Sequence, residues 1–251
     1  MAAPETGLRV VLACAAALSA GGTAASAAPY SWREALSGRL ADHAAAPITA
    51  KYETDAGAIF VFDRSTPRPL LKFEDDPEIW VLQPAKGPRG DIIYRNDLGE
   101  EMLRSTSLGG MTVFTEKRPE GSPAALDGSS SPLRVAALSP ANLFSRFYQA
   151  SVRASRAAQH QVGFETREDA EPASAAYLAD AAVVASEALV DMAARPDGKA
   201  ELARVADVVI AQGKKPGATL QKGVLTVTIV PKEGVFGRPS SRRIERAAGA
   251  R

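Results

Sequence analysis

The side chains able to do chemistry in this chain fall into three groups. The first is acidic. Glu74, Asp75, Asp76 and Glu78 lie close together, and Asp97 follows in Asn96-Asp97-Leu98-Gly99-Glu100. Two such carboxylates, one ionised and one kept neutral, are the equipment of acid–base hydrolysis. The same residues also suit turns, because Asp side chains bond nearby amides and Pro77 fixes φ. The run at Asp97 lacks the alternating spacing and distal glutamate of a calcium loop, so a hairpin turn is expected there and no metal set. The second group is basic. Arg146, Gln149, Arg153 and Arg156 recur at i, i+3, i+7 and i+10, one face of a helix, opposite Leu143, Phe147, Ala154 and Ala158. Asp180, Glu187 and Asp191 form a narrow acidic stripe further on. If the two stripes meet, they neutralise each other. If they diverge, the arginines form an open face for an acidic envelope protein or an anionic envelope polymer. The third group is small: His43, His160 and the single cysteine, Cys14. Two distant histidines give no zinc site, and His160 at a helix end is suited to capping.

The sequence holds no G-x-S-x-G, S-x-x-K, H-E-x-x-H, Walker A or G-x-G-x-x-G pattern. No cofactor is called for. Lys+Arg 30 against Asp+Glu 29 leaves a net charge of +1, which argues against nucleic-acid binding.

The elements that must position these groups follow from the pattern. Residues 1–27 read as a cleavable signal peptide: Arg9, an uncharged apolar run at 10–20, then Ala25-Ser26-Ala27 as the cleavage box. Export is therefore expected, to a periplasm or beyond, leaving a mature chain without cysteine. No later segment reads as a membrane span. Residues 28–50 comprise a short helix at 31–40 and a connector, with Ser31 and Glu34 as a capping box.

Residues 51–115 read as an antiparallel β-meander, with strands at 59–62, 70–73, 79–82, 91–95, 102–106 and 111–115 separated by turn residues. Residues 116–138, rich in proline, glycine and serine, read as a linker or loop. A helix-rich α+β region follows at 139–236. Its two long helices start at Ser139-Pro140 and Pro172, and its strands at 161–165, 205–211, 218–221 and 224–230 make a small antiparallel sheet. Residues 237–251 read as a basic tail. The expected class is α+β.

Several stretches carry a family resemblance: Phe73-Glu74-Asp75-Asp76-Pro77-Glu78-Ile79-Trp80, Arg89-Gly90-Asp91-Ile92-Ile93-Tyr94, Leu108-Gly109-Gly110-Met111-Thr112-Val113-Phe114, Ala154-Ser155-Arg156-Ala157-Ala158-Gln159-His160 and Gly237-Arg238-Pro239-Ser240-Ser241. Together they resemble an exported alphaproteobacterial family, the domain of unknown function 4908. The resemblance implies export and assigns no activity, cofactor or catalytic residue. The leading expectation is a non-enzymatic binding or structural module of the envelope. The alternatives are a hydrolase using the carboxylates named above, or a carrier of a small apolar ligand.

Overall fold

The computed structural model describes residues 48–167 and 171–250. The leader with Cys14, the expected helix at 31–40 and His43 lie outside the described residues.

Nine strands form the first sheet: β1 (Thr49–Thr54), β2 (Ile59–Asp63), β3 (Leu70–Phe73), β4 (Trp80–Val81), β5 (Gln83–Lys86), β6 (Ile92–Arg95), β7 (Glu101–Ser105), β8 (Met111–Thr115) and β9 (Arg118–Ser129). Their order is β4-β3-β2-β1-β9-β8-β7-β6-β5, antiparallel throughout. Every strand lies beside its sequence neighbour, and β9 returns to β1. The two ends of the order, β4 and β5, are separated in sequence by Leu82 alone. Trp80 to Lys86 thus acts as one bent strand, pairing with β3 through its first half and with β6 through its second. The sheet curls into a near-closed antiparallel barrel with effectively about eight staves, a size whose interior side chains can fill.

Aromatic residues fill it. Tyr52 stacks on Phe60 at 5.3 Å, its cross-strand partner, and Phe62 meets Tyr94 edge-on at 4.9 Å. Leu71, Leu82 and Leu103 complete this core without exposure.

Residues 118–129 of the stretch expected as a linker or loop form strand β9, while 130–138 run without regular structure. Pro119, Gly121 and Gly128 sit where the ladder is irregular, while Pro123 keeps regular register opposite Thr112. The register against β8 shifts between Val113 and Thr115, opposite the Pro119–Gly121 run, and the register against β1 shifts at Gly128 to Leu126. Such bulges are the places in a strand that tolerate these residues. Gly121 has φ +90°, and a Cβ there would lie 2.7 Å from Thr112 and 2.8 Å from Phe114. Residues 83–86, expected within a turn, also pair as a strand.

The second half is built from α1 (Pro140–Ala158), β10 (Gly163–Thr166), α2 (Pro172–Ala194), α3 (Gly198–Leu202), β11 (Asp207–Gln212), β12 (Gly217–Gln221), β13 (Val224–Ile229) and α4 (Ser241–Gly249). Proline occupies the first turn of both long helices, as expected, and Gln159 ends α1 in the left-handed conformation. The small sheet, of order β10-β11-β13-β12, corrects from antiparallel to mixed. Pairs β10–β11 and β11–β13 are parallel, and only the hairpin β12–β13, turning at Lys222-Gly223, is antiparallel. For β10–β11 the cause is the helical crossover: α2 and α3 carry the chain back, so β11 enters in the same direction as β10. Strand β13 parallels β11 because β12 lies beyond it and the β12–β13 hairpin reverses the chain once more. The overall class remains α+β.

Helix α2 is as long and apolar as a membrane span, with a mean hydropathy of 1.4, against the expectation that no segment would be. Most of it is buried: Leu178, Ala182, Ala185, Leu189 and Met192 pack into a core with α1, β11, β13 and α4.

The basic tail also corrects. After a 3-10 turn at Pro231–Gly237 the chain forms α4, whose Ile244 and Ala248 are fully buried. The Ser240 hydroxyl caps it, accepting from the Arg243 amide at 3.1 Å.

Candidate functional site

The acidic candidates separate. Glu74 and Asp75 stay exposed in the turn before β4. Asp76 is a turn residue: one carboxylate oxygen accepts from the Glu78 amide at 2.7 Å and the other from the Trp80 indole at 3.1 Å. Glu78 and Asp97 go elsewhere, and the C-terminal segment brings them together.

Arg238 lies at the centre. Its guanidinium, 5% exposed, donates to Glu78 at 2.9 Å, to Asp180 of α2 at 2.5 Å, to the Ile79 carbonyl at 2.8 Å and to the Pro239 carbonyl at 3.2 Å. Glu78, 1% exposed, also accepts from the Ser241 amide at the start of α4. Burial pushes the Glu78 carboxyl up to about 7, with the Arg238 charge opposing. Asp97 accepts from the Ser240 hydroxyl at 2.5 Å and from Arg243 at 2.6 Å. Gly237 is required here by close approach, since a Cβ would lie 2.1 Å from the Val230 carbonyl. Gly237-Arg238-Pro239-Ser240-Ser241 is therefore a clamp tying the barrel turns to α2 and α4. Two of the five carboxylates offered by the hydrolase reading, Glu78 and Asp97, are engaged in it.

A second ionic layer surrounds α4. Glu245, 3% exposed, faces Arg195 at 3.5 Å and Arg242 at 3.8 Å, while its Oε1 is buried without a hydrogen-bond partner among the described residues. Burial pushes it up to about 7, against the pull of both arginines. Arg242 pairs with Glu116, and Arg246 with Glu100 at 3.4 Å. The reading of these arginines as a free basic tail is replaced by a docked helix.

The two helical stripes meet at one rung only. Arg153 donates to Glu187 at 2.5 Å, whereas Asp180 is taken by Arg238 and Asp191 has no arginine of α1 within ion-pair range. Burial pushes Glu187 up, with Arg153 opposing. Arg146 and Arg156 are exposed and, among the described residues, form no ion pair. His160 staples the end of α1: its ring nitrogens lie 3.1 Å from the Ala158 carbonyl and 2.9 Å from that of Val205.

Sequence reasoning missed the rest of the α1 surface. Phe144 is 81% exposed and Tyr148 65%, one turn apart. Two grooves flank Tyr148. One, of about 570 Å³, lies between α1 and α2 and is lined by Tyr148, Val152, Arg153, Arg156, Ala157 and Val190. The other, of about 500 Å³, lies between α1 and β10, where Leu143, Phe144, Phe147 and Phe164 face it with Glu165 at its rim. The available signal was the 144/148/152 spacing, which falls off the buried 143/147/154/158 face.

The sequence matches the family "Domain of unknown function (DUF4908)" over residues 31–248. The chain belongs to this family. No curated protein and no solved structure matches it. The DUF4908 match spans the barrel and both long helices and ends inside α4, so it takes in the Arg238 clamp and the α1 surface together.

Proposed function

We propose that this DUF4908 chain is a non-enzymatic binding module of the bacterial envelope, exported by residues 1–27, and that the outward face of α1 is its binding surface. One observation carries the reading. Two aromatic side chains stand in solvent on the same helix as Arg146 and Arg156, which form no ion pair among the described residues, beside two grooves. An exposed apolar patch rimmed by charge is the usual mark of an interaction site. The unpaired arginines favour an anionic partner. The test uses the mature chain, residues 28–251, titrated with poly-glutamate and with an acidic polysaccharide at low and moderate salt. Binding should weaken with salt and in the double variant Arg146→Gln/Arg156→Gln. Equal binding by the variant, or none by either, would sink the reading.

A carrier role is the second reading, and the groove between α1 and β10 favours it, since Leu143, Phe147 and Phe164 offer an apolar bed. A fluorescent fatty-acid probe displaced by Phe147→Asp would support it. Binding unaffected by that change would remove it.

A further inference from the structure

The groove between α1 and α2 has the shape and charge of a site for one more helix. Its α1 wall runs from Tyr148 to Ala157, about 14 Å at ~1.5 Å per residue. Val152, Ala157 and Val190 make an apolar floor of small and medium side chains, the kind of surface that admits a helix at close range. Arg153 and Arg156 stand on the α1 wall, and Arg146 lies on the same face two turns before Arg153. The charge is therefore positive along one wall only. On the α2 side Glu187 is already neutralised by Arg153, and Asp191 is exposed.

From this asymmetry we infer that the partner presents an acidic amphipathic helix, which lies in the α1–α2 groove with its acidic edge along Arg146 and Arg156, past the Arg153–Glu187 pair. The inference rests on the proposed binding role of this face and narrows its partner to one chemistry. Charge complementarity decides between occupants. A second copy laid face to face would oppose arginine to arginine. The chain's own residues 31–40 carry Arg33 and Arg39 against Glu34, the wrong sign for this wall. A flat anionic lipid surface would meet Asp191 and Glu165 as well as the arginines. A helix avoids both by placing carboxylates on one edge. Helix-in-groove recognition of this type uses anchors at i, i+3, i+4 and i+7.

The probe is a stapled synthetic peptide with leucine and alanine on one face and glutamate along one edge, labelled for fluorescence anisotropy. A second peptide carries lysine in place of each glutamate. A third has the same composition as the first, broken by proline so that it stays extended. Anionic phosphatidylglycerol vesicles form the fourth arm. The acidic helix should bind at least tenfold more tightly than the lysine or proline peptide. Val152→Glu should lose that binding tenfold or more, and Arg156→Glu should lose it and gain the lysine peptide. Thermal unfolding checks that each variant is folded, and Arg153 is left intact because Glu187 depends on it. If the extended peptide or the vesicles bind as well as the helix, and through the same arginines, the helix inference is overturned while the anionic binding face stands. If no acidic probe responds to Arg156→Glu in a folded variant, both are overturned.

Discussion

Replacing Arg238 with alanine should destabilise the protein more than any surface change. The side chain is buried with two carboxylates, and four hydrogen bonds engage four of its five N–H donors. Its loss leaves Glu78, 1% exposed, with Ser241 but no compensating charge, and leaves Asp180 and the Ile79 carbonyl without the Arg238 donor. Removing one partner of a buried ion pair costs about 3–5 kcal/mol, because the remaining charge is stranded out of water. With an m-value of ~2 kcal/mol/M in urea, the midpoint should fall by about 2 M. The cost also depends on pH. Without Arg238, Glu78 escapes by taking a proton, so the loss should be smaller at pH 5 than at pH 8. Replacing the whole group with neutral side chains, Arg238→Met with Glu78→Gln and Asp180→Asn, should recover most of the stability, since no charge is then stranded. Urea titrations followed by far-UV circular dichroism at both pH values provide the measurement. A loss under ~1 kcal/mol for Arg238→Ala at pH 8, or a triple variant no better than the single, would refute the clamp.

The other expectations concern the rest of the scaffold. The Glu245 carboxyl is raised in the folded state to about 7 from an unfolded value of ~4.3, so its favourable contribution is present below pH ~4.3 and lost as pH rises through 7. Glu245→Gln should flatten that part of the stability–pH curve, as seen in melting temperatures across pH 4.5–8; an unchanged curve would contradict it. Asp63 acts in the opposite sense. Burial is outweighed by hydrogen bonds from Ser65, the Leu133 amide and Thr49, which hold it below the usual range, so its contribution is lost on strong acidification. Gly121→Ala should cost about 2–4 kcal/mol, because the positive φ and the crowding by Thr112 and Phe114 add. Amide exchange should show protected N–H groups within residues 122–126, where 122–124 pair with β8 and 124–126 with β1; exchange at coil rates there would remove β9 from the barrel.

Legibility tracked local pattern. Strands β2, β3, β6, β7 and β8 alternate large apolar residues between turn signals, and the long helices begin at proline. All of these were readable in the chain. Strand β9 was not, because its pairing with β1 joins residues far apart in sequence, and its prolines and glycines describe a coil until the bulges are known. The parallel pairs of the small sheet were hidden for a related reason: direction is set by the connections, the helical crossover between β10 and β11 and the passage through β12 between β11 and β13. At the candidate sites, Glu78 and Asp97 stood out as acidic residues, but their partners Arg238 and Arg243 lie 160 and 146 positions away.

The arginines of this chain divide by what surrounds them, and that division bears on function. Arg238 sits among two carboxylates and two carbonyls, and Arg242, Arg243 and Arg246 each find an acid on the barrel side. Arg153 has one carboxylate and remains half exposed. Arg146 and Arg156 have none among the described residues, although the surface of α1 brings them near two exposed aromatics. A fold stabilised by ion pairs at its C-terminal helix has no need of those two charges for its own integrity. Surface arginines without partners contribute little to stability, so their removal should leave the melting temperature nearly unchanged while altering what α1 can hold. Arg153 does not share that independence. Its removal strands Glu187, whose second oxygen is already buried without a partner. Testing all three arginines together would therefore mix a folding effect with a binding effect, and Arg146 with Arg156 is the pair that separates them.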